Sequence, residues 1–130
     1  FTLPGVPSIY YGDEAGLTGY GDPFCRAAYP WGRENTELLS FYRALGALRR
    51  SSPAFASGEF VPIRAESGVF AFLRKRGGST AFIAVNSGDG TAVTDLPPEL
   101  KEIKTAFGEK PQGGKLTLSP KTYAVFTAES

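Results

Sequence analysis

The chain has 130 residues with a formal net charge of +1, 42% hydrophobic and 21% charged side chains, one cysteine, no histidine and no methionine. That balance supports a buried core, in one domain or in one small domain plus part of another, and argues against a disordered chain. It excludes an internal disulfide and the usual zinc sites, its basic clusters Arg49-Arg50 and Arg74-Lys75-Arg76 are too short for a nucleic-acid footprint, and no apolar run approaches the ~20 residues of a membrane helix.

A chain that opens at Phe1 and lacks methionine is expected to be a piece of a longer protein. In chain order, Val6–Tyr11 is a short apolar run of β-branched and aromatic residues closed by Gly12. It suits a buried strand, with Pro4 and Pro7 confined to its start. Residues 12–34 show no periodicity, and a structureless stretch of that length in a compact domain is functional or disordered. A helix follows, capped by Asn35 or Thr36, with Glu37 in its first turn. Leu38, Phe41, Tyr42, Leu45 and Leu48 share one face. Arg49 and Arg50 lie in the last turn, and Pro53 is expected to stop the run.

Beyond that point the chain reads as short strands: Glu59–Ile63, Val69–Lys75, Thr80–Asn86, Thr91–Asp95, Ile103–Ala106, Lys115–Leu118 and Thr122–Thr127. Turn residues separate them, among them Gly77-Gly78-Ser79, Gly88-Asp89-Gly90 and Gly113-Gly114. Strands at this spacing predict an antiparallel sandwich or barrel. Val69–Leu73 and Ala81–Val85 are apolar at nearly every position, so both of their faces should be covered.

The loop between strand and helix holds the candidate chemistry. In "YYGDEAGLTGYGDPFCRAAYPW", Asp13 and Glu14 are adjacent. Neighbours at a strand end point to opposite sides, so they make a poor catalytic pair. Asp22 and Arg26 are four residues apart in a loop punctuated by Gly19, Gly21 and Pro23, which brings a carboxylate and a guanidinium together. Such a mixed pair can accept from and donate to sugar hydroxyls, and Tyr20, Phe24, Tyr29 and Trp31 could offer faces to a pyranose ring. Two readings stand: a sugar-recognition wall, or a structural ion pair with aromatics packing the loop. Cys25 has no histidine to act as its base, so packing or a chance exposed thiol outweighs a reactive one.

"LPGVPSIYYGDEAGLTGYGDPFCRAAYPWGRE" resembles the eighth barrel strand and following loop of α-amylase-family glycoside hydrolases, in the branch of neopullulanase, maltogenic amylase and cyclomaltodextrinase. Pro4-Gly5-Val6-Pro7, Ile9 to Glu14 and Gly16 match its strand and turn. Asp22-Pro23 and Arg26 match a loop that contacts sugar on the non-reducing side of the scissile bond. Leu38 to Arg50 resembles the last barrel helix, and "FAFLRKRGGSTAFIAVN" with "LSPKTYAVF" resembles the family's C-terminal β-domain. Ala28 stands where relatives often have proline.

The resemblance implies a mainly β chain. Residues 53–130 would form an antiparallel β-sandwich, and residues 1–52 the last strand–loop–helix unit of a TIM (β/α)8 barrel, whose active site lies at the C-terminal strand ends. It implies retaining chemistry on α-glucosidic bonds, Asp22 and Arg26 on the sugar, and Tyr11, Asp13 and Glu14 at the pocket floor. The family's catalytic carboxylates precede the residue matching Phe1, so the chain alone should be inert. Its expected partners are an α-glucan oligosaccharide, the rest of the barrel and, in assembly, a second copy of the chain. No nucleic acid, membrane or cofactor is expected. Some relatives bind calcium, but no calcium loop is legible. The expected location is the cytoplasm. An alternative makes residues 53–130 a carbohydrate-binding or structural module.

Overall fold

The computed structural model describes residues 1–100 and 102–129. Among them the chain forms two compact units, one of Phe1 and Val6–Ser51 and the other of Thr2–Gly5 and Ser52–Ser130. The second unit contains all the strands: β1 Glu59–Glu66, β2 Val69–Arg76, β3 Ser79–Asn86, β4 Ala92–Asp95, β5 Ile103–Gly108, β6 Lys115–Leu118 and β7 Thr122–Glu129. A five-stranded antiparallel sheet runs β1-β2-β3-β7-β5, and β4 pairs with β6 in a smaller sheet. Two-residue turns link the first hairpins, with Ser67 and Gly68 at φ 50 and 77° joining β1 to β2. That left-handed geometry matches the twist of the strands it connects. The edge strand β1 carries Pro62 and an irregularity between Pro62 and Arg64. Both features discourage pairing at that edge.

Alternation fills the space between the two sheets. Val69, Ala71 and Leu73 of β2, Phe82 and Ala84 of β3, and Ala124, Phe126 and Ala128 of β7 pack with Leu116 and Leu118 of β6 and with Leu100. Phe82 and Phe126 are register partners with stacked rings 6.3 Å apart. Each such fully buried side chain contributes about 1.5–3 kcal/mol by leaving water. The buried Asn86 closes one end of this core. Its Nδ2 donates to the carbonyls of Gly90, Leu118 and Ser119 at 2.8, 3.2 and 3.0 Å, and its Oδ1 accepts from Gly88 N at 2.9 Å.

The other face of the large sheet has its own cover. Helix α2, Pro53–Ser57, packs on β2 and β3 and buries Ala54 and Phe55 completely. Pro53 was expected only as a stop. It follows the end of the preceding helix, but it also occupies the first turn of α2, where its missing N–H costs nothing. Ser52 Oγ accepts from Ala54 N at 3.3 Å as the cap. Arg74 is buried with its charge satisfied: Nε and Nη2 donate to Gly58 O at 3.2 and 3.0 Å, and Nη1 to Thr2 O at 2.7 Å. The expected cover on both faces fails at one end, where the paired Phe70 and Val85 are each 38% exposed.

The first unit holds α1, Thr36–Ser51. Asn35 is its cap, with Oδ1 accepting from Leu38 N at 3.0 Å. Of its apolar face only Leu48 is buried, and Leu38, Phe41, Tyr42 and Leu45 are half-buried. Arg49 donates to Phe1 O, and the Phe1 ring meets Tyr42 edge-on at 5.9 Å. Val6–Tyr11, read from its composition as a strand, forms none in this chain. Val6 is 91% exposed. An apolar run becomes a strand only when neighbours take up its N–H and C=O groups, and no described strand pairs with it.

Candidate functional site

The loop from Gly12 to Glu34 is built from tight local turns. Gly12 at φ 89° and Gly16 at φ 74° bracket a 3-10 turn, Asp13–Ala15. A side chain at Gly12 would place Cβ 2.8 Å from Leu17 Cβ, so glycine is required there by space as well as by φ. Asp13 and Glu14 therefore stand in this turn, where a strand end was expected. Glu14 Oε2 accepts from Gly12 N at 3.1 Å and so stabilises the turn that holds it. The Tyr29 hydroxyl is pushed above its ordinary pKa, first by desolvation and then by the negative charge of Glu14 and a hydrogen bond to it. The turn is fixed to the start of α1 by Asn35 N donating to Ala15 O at 3.0 Å.

Further along, Asp22–Pro23 is a cis peptide, and Phe24–Arg26 forms a second 3-10 turn. The chain doubles back so closely that a Cβ on Gly19 would lie 2.7 Å from Phe24 O. Tyr11 ties the two arms together, its hydroxyl donating to Ala27 O at 2.9 Å.

Asp22 and Arg26 meet as the spacing predicts, with Arg26 Nε 3.0 Å from Asp22 Oδ1 and side-chain exposures of 63% and 68%. Cys25 donates its thiol hydrogen to the same oxygen at 3.0 Å. That bond, more than desolvation, holds the Cys25 thiol above its ordinary pKa. Oδ1 is thus used twice within the protein. Asp22 Oδ2 and both Nη groups of Arg26 have no partner among the described residues. An acceptor and a two-nitrogen donor fork are left side by side toward solvent, the pattern that pairs with two neighbouring hydroxyls. An ion pair this exposed contributes only about 0–1 kcal/mol to stability.

Tyr29 is half-buried against the loop, but the other three aromatics are not. Tyr20, Phe24 and Trp31 are 91%, 69% and 80% exposed, and Trp31 leans on Tyr29 with ring centroids 4.5 Å apart. Among the described residues no hydrogen bond or ion pair joins Asp13 or Glu14 to Asp22 or Arg26. The structure thus links Tyr11 to the residue after Arg26, and leaves the two acids of the first turn in a separate cluster. Sequence reasoning missed the Cys25–Asp22 bond. Its signal was present, because three residues is the natural reach across one 3-10 turn. No group of three or more metal-binding side chains forms among the described residues.

No protein-family model matches the chain. It is 34% identical over 133 residues to an amylopullulanase of Thermoanaerobacter thermohydrosulfuricus, covering 94% of this chain and 8% of that protein. It is 38% identical over 89 residues to a cyclomaltodextrinase of Thermoanaerobacter pseudethanolicus, covering 67% of this chain and 16% of that protein. The solved α-amylase of Anoxybacillus superposes with a TM-score of 0.83 at 29% identity, over 98% of this chain and 30% of that one. The chain therefore spans well under one fifth of the length of either of these two curated relatives.

Proposed function

We propose that this chain, whose relatives and structural neighbours are those of an α-amylase-family C-terminal region, forms one wall of a site where α-glucosidic bonds of starch-type oligosaccharides are hydrolysed or transferred with retention. The names of its relatives, amylopullulanase, cyclomaltodextrinase and cyclomaltodextrin glucanotransferase, support that substrate class. The observation that carries the reading is the exposed Asp22–Arg26 pair with its unused Oδ2 and Nη groups. Asp22 accepts from one hydroxyl of the non-reducing sugar unit and Arg26 donates to its neighbour. Their shared Oδ1 contact fixes the spacing of the two. Tyr11 holds the loop in that shape through Ala27, and Asp13 and Glu14 in their own turn shape the pocket floor.

Retaining cleavage requires two carboxyl groups about 5–5.5 Å apart, one as nucleophile and one as acid and then base. Asp13 and Glu14 are adjacent in a 3-10 turn, and Glu14 is engaged with Gly12 N. The chain's part is accordingly to bind and register the sugar, while the catalytic carboxylates come from the remainder of the enzyme. The second unit acts as a structural domain, its Phe72, Phe82 and Phe126 buried and so closed to ligand stacking. The reading needs no cofactor.

The purified chain, incubated with starch, pullulan and cyclodextrins, is expected to release no reducing sugar. Activity that disappears in Asp13→Ala or Glu14→Ala would overturn the division of labour.

A further inference from the structure

Between β3 and β4 the chain crosses one end of the core in a turn that contains Gly88-Asp89-Gly90. Asp89 is the only aspartate or asparagine of the chain that precedes a glycine. Its side chain is 94% exposed, and Lys121 Nζ lies 2.9 Å from its Oδ1. Gly90 N has no hydrogen-bond partner among the described residues, and a Cβ at Gly90 would meet no atom within 4 Å. An open nitrogen thus follows an exposed carboxyl. The flanks are fixed, because the buried Asn86 accepts from Gly88 N with Oδ1 and donates to Gly90 O with Nδ2. The other aspartates and asparagines lack this combination. Pro23, after Asp22, carries no N–H. Leu96 N, after Asp95, donates to Gly114 O at 3.1 Å, and Ser87 N, after Asn86, donates to Gly68 O at 2.8 Å. Glu14 after Asp13 and Thr36 after Asn35 carry a Cβ beside the nitrogen, and both lie in helical turns.

We propose that Asp89–Gly90 is a site of spontaneous covalent modification, where aspartate isomerises to isoaspartate. Gly90 N attacks Cγ of the Asp89 carboxylic acid. The N–Cγ bond forms, the nitrogen gives up its proton, and the acid hydroxyl leaves with that proton as water. The product is a cyclic imide. A water molecule then adds to one of its two carbonyls. Breaking the N–Cγ bond restores aspartate, whereas breaking the bond from the nitrogen to the main-chain carbonyl carbon leaves the backbone running through Cβ and Cγ. Water is the sole co-reactant, and no electrons are transferred. Glycine favours closure, since it has no side chain to crowd the nitrogen and the widest backbone freedom. Lys121 is the restraint. Its ion pair with Oδ1 and its bond to Ser87 O at 2.6 Å hold the carboxyl in one orientation, and closure requires Cγ to turn toward Gly90 N. The added main-chain carbon falls between Gly88 and Gly90. Both are tied to Asn86, so isomerisation pulls one of those bonds from the buried amide that closes this end of the core.

The test ages the 130-residue chain at physiological temperature in water enriched in oxygen-18 and maps its peptides by electron-transfer fragmentation. Isoaspartate is expected in the peptide that carries Asp89–Gly90, with a heavy oxygen gained in each event, well before any appears at Asp13 or Asp95. Gly90→Ala, which the open space accommodates, should reduce the rate to that of those two residues. Lys121→Ala should raise it about two- to fivefold, the value of an exposed ion pair. The isomerised chain should melt below the fresh one. No isoaspartate at Asp89, or an equal rate in Gly90→Ala, would overturn the site. An unchanged rate in Lys121→Ala would overturn the restraint, and equal melting temperatures would overturn the coupling to Asn86.

Discussion

The two units of this chain solve the burial problem in opposite ways. In the β unit, large side chains face one another across two sheets, and Phe55, Phe72, Phe82 and Phe126 are almost wholly removed from water. In the other unit only Ala15 and Leu48 among the apolar residues are buried, while Val6, Tyr20, Phe24 and Trp31 stand in solvent. Stability is therefore concentrated in one unit and candidate chemistry in the other. A loop held by short local turns is free to present polar pairs that a packed core would have to neutralise.

The largest test of that contrast is a pair of truncations. Phe82→Ala should lower the unfolding free energy by about 3–5 kcal/mol, since a stacked ring in a closed core leaves a cavity. Trp31→Ala should stay within about 0.5 kcal/mol, as for surface changes generally. Urea denaturation measures both, and equal losses would show that the loop carries a core of its own.

Within the loop, the Cys25–Asp22 bond gives a chemical readout. Its hydrogen bond raises the thiol pKa, and the thiolate is the reactive form. Asp22→Ala should therefore accelerate alkylation of Cys25 by iodoacetamide at mildly alkaline pH and move the rate profile to lower pH. An unchanged profile would mean that the carboxylate and thiol do not meet.

The strand pattern of the β unit was legible because turn chemistry and alternation agree there. Lys115–Leu118 was located to the residue, and the other strands differ from the reading only at their ends. Three features were not legible, each for a physical reason. Val6–Tyr11 has strand composition, but a strand is a relation between segments and the sequence does not show the partner. Helix α2 was hidden because proline ends one helix and opens another with the same ring. The exposure of Phe70 and Val85 at one end of the sheet depends on how far the cover of that face extends, which apolar patterning cannot register. In the loop, the Asp22–Arg26 meeting followed from spacing and punctuation, whereas the double use of Oδ1 required the fold of the second 3-10 turn.

A smaller effect belongs to the surface of the β unit. Lys75 Nζ lies 2.6 Å from Glu99 Oε1, and that hydrogen bond, followed by a backbone one, holds the Glu99 carboxyl below its ordinary pKa. The folded pKa lies below the unfolded one. Its contribution is therefore complete above the ordinary carboxylate range and lost as pH falls through the folded value. Glu99→Gln should flatten the acid limb of the stability profile slightly and leave neutral stability nearly unchanged. An identical acid limb would assign the pair no role.

The central claim is that Asp22 and Arg26 hold a sugar, and it is tested most directly by kinetics in an enzyme that carries this region with its full barrel. Each lost charged partner should cost roughly 1.5–3 kcal/mol of binding. That corresponds to about a ten- to hundredfold fall in kcat/KM. Asp22→Ala and Arg26→Ala should both show it, more severely on maltotriose than on a long oligosaccharide with other contacts to fix its register, and with little change in melting temperature. Unchanged kinetics with a lowered melting temperature would contradict the account and leave the pair as a structural ion pair.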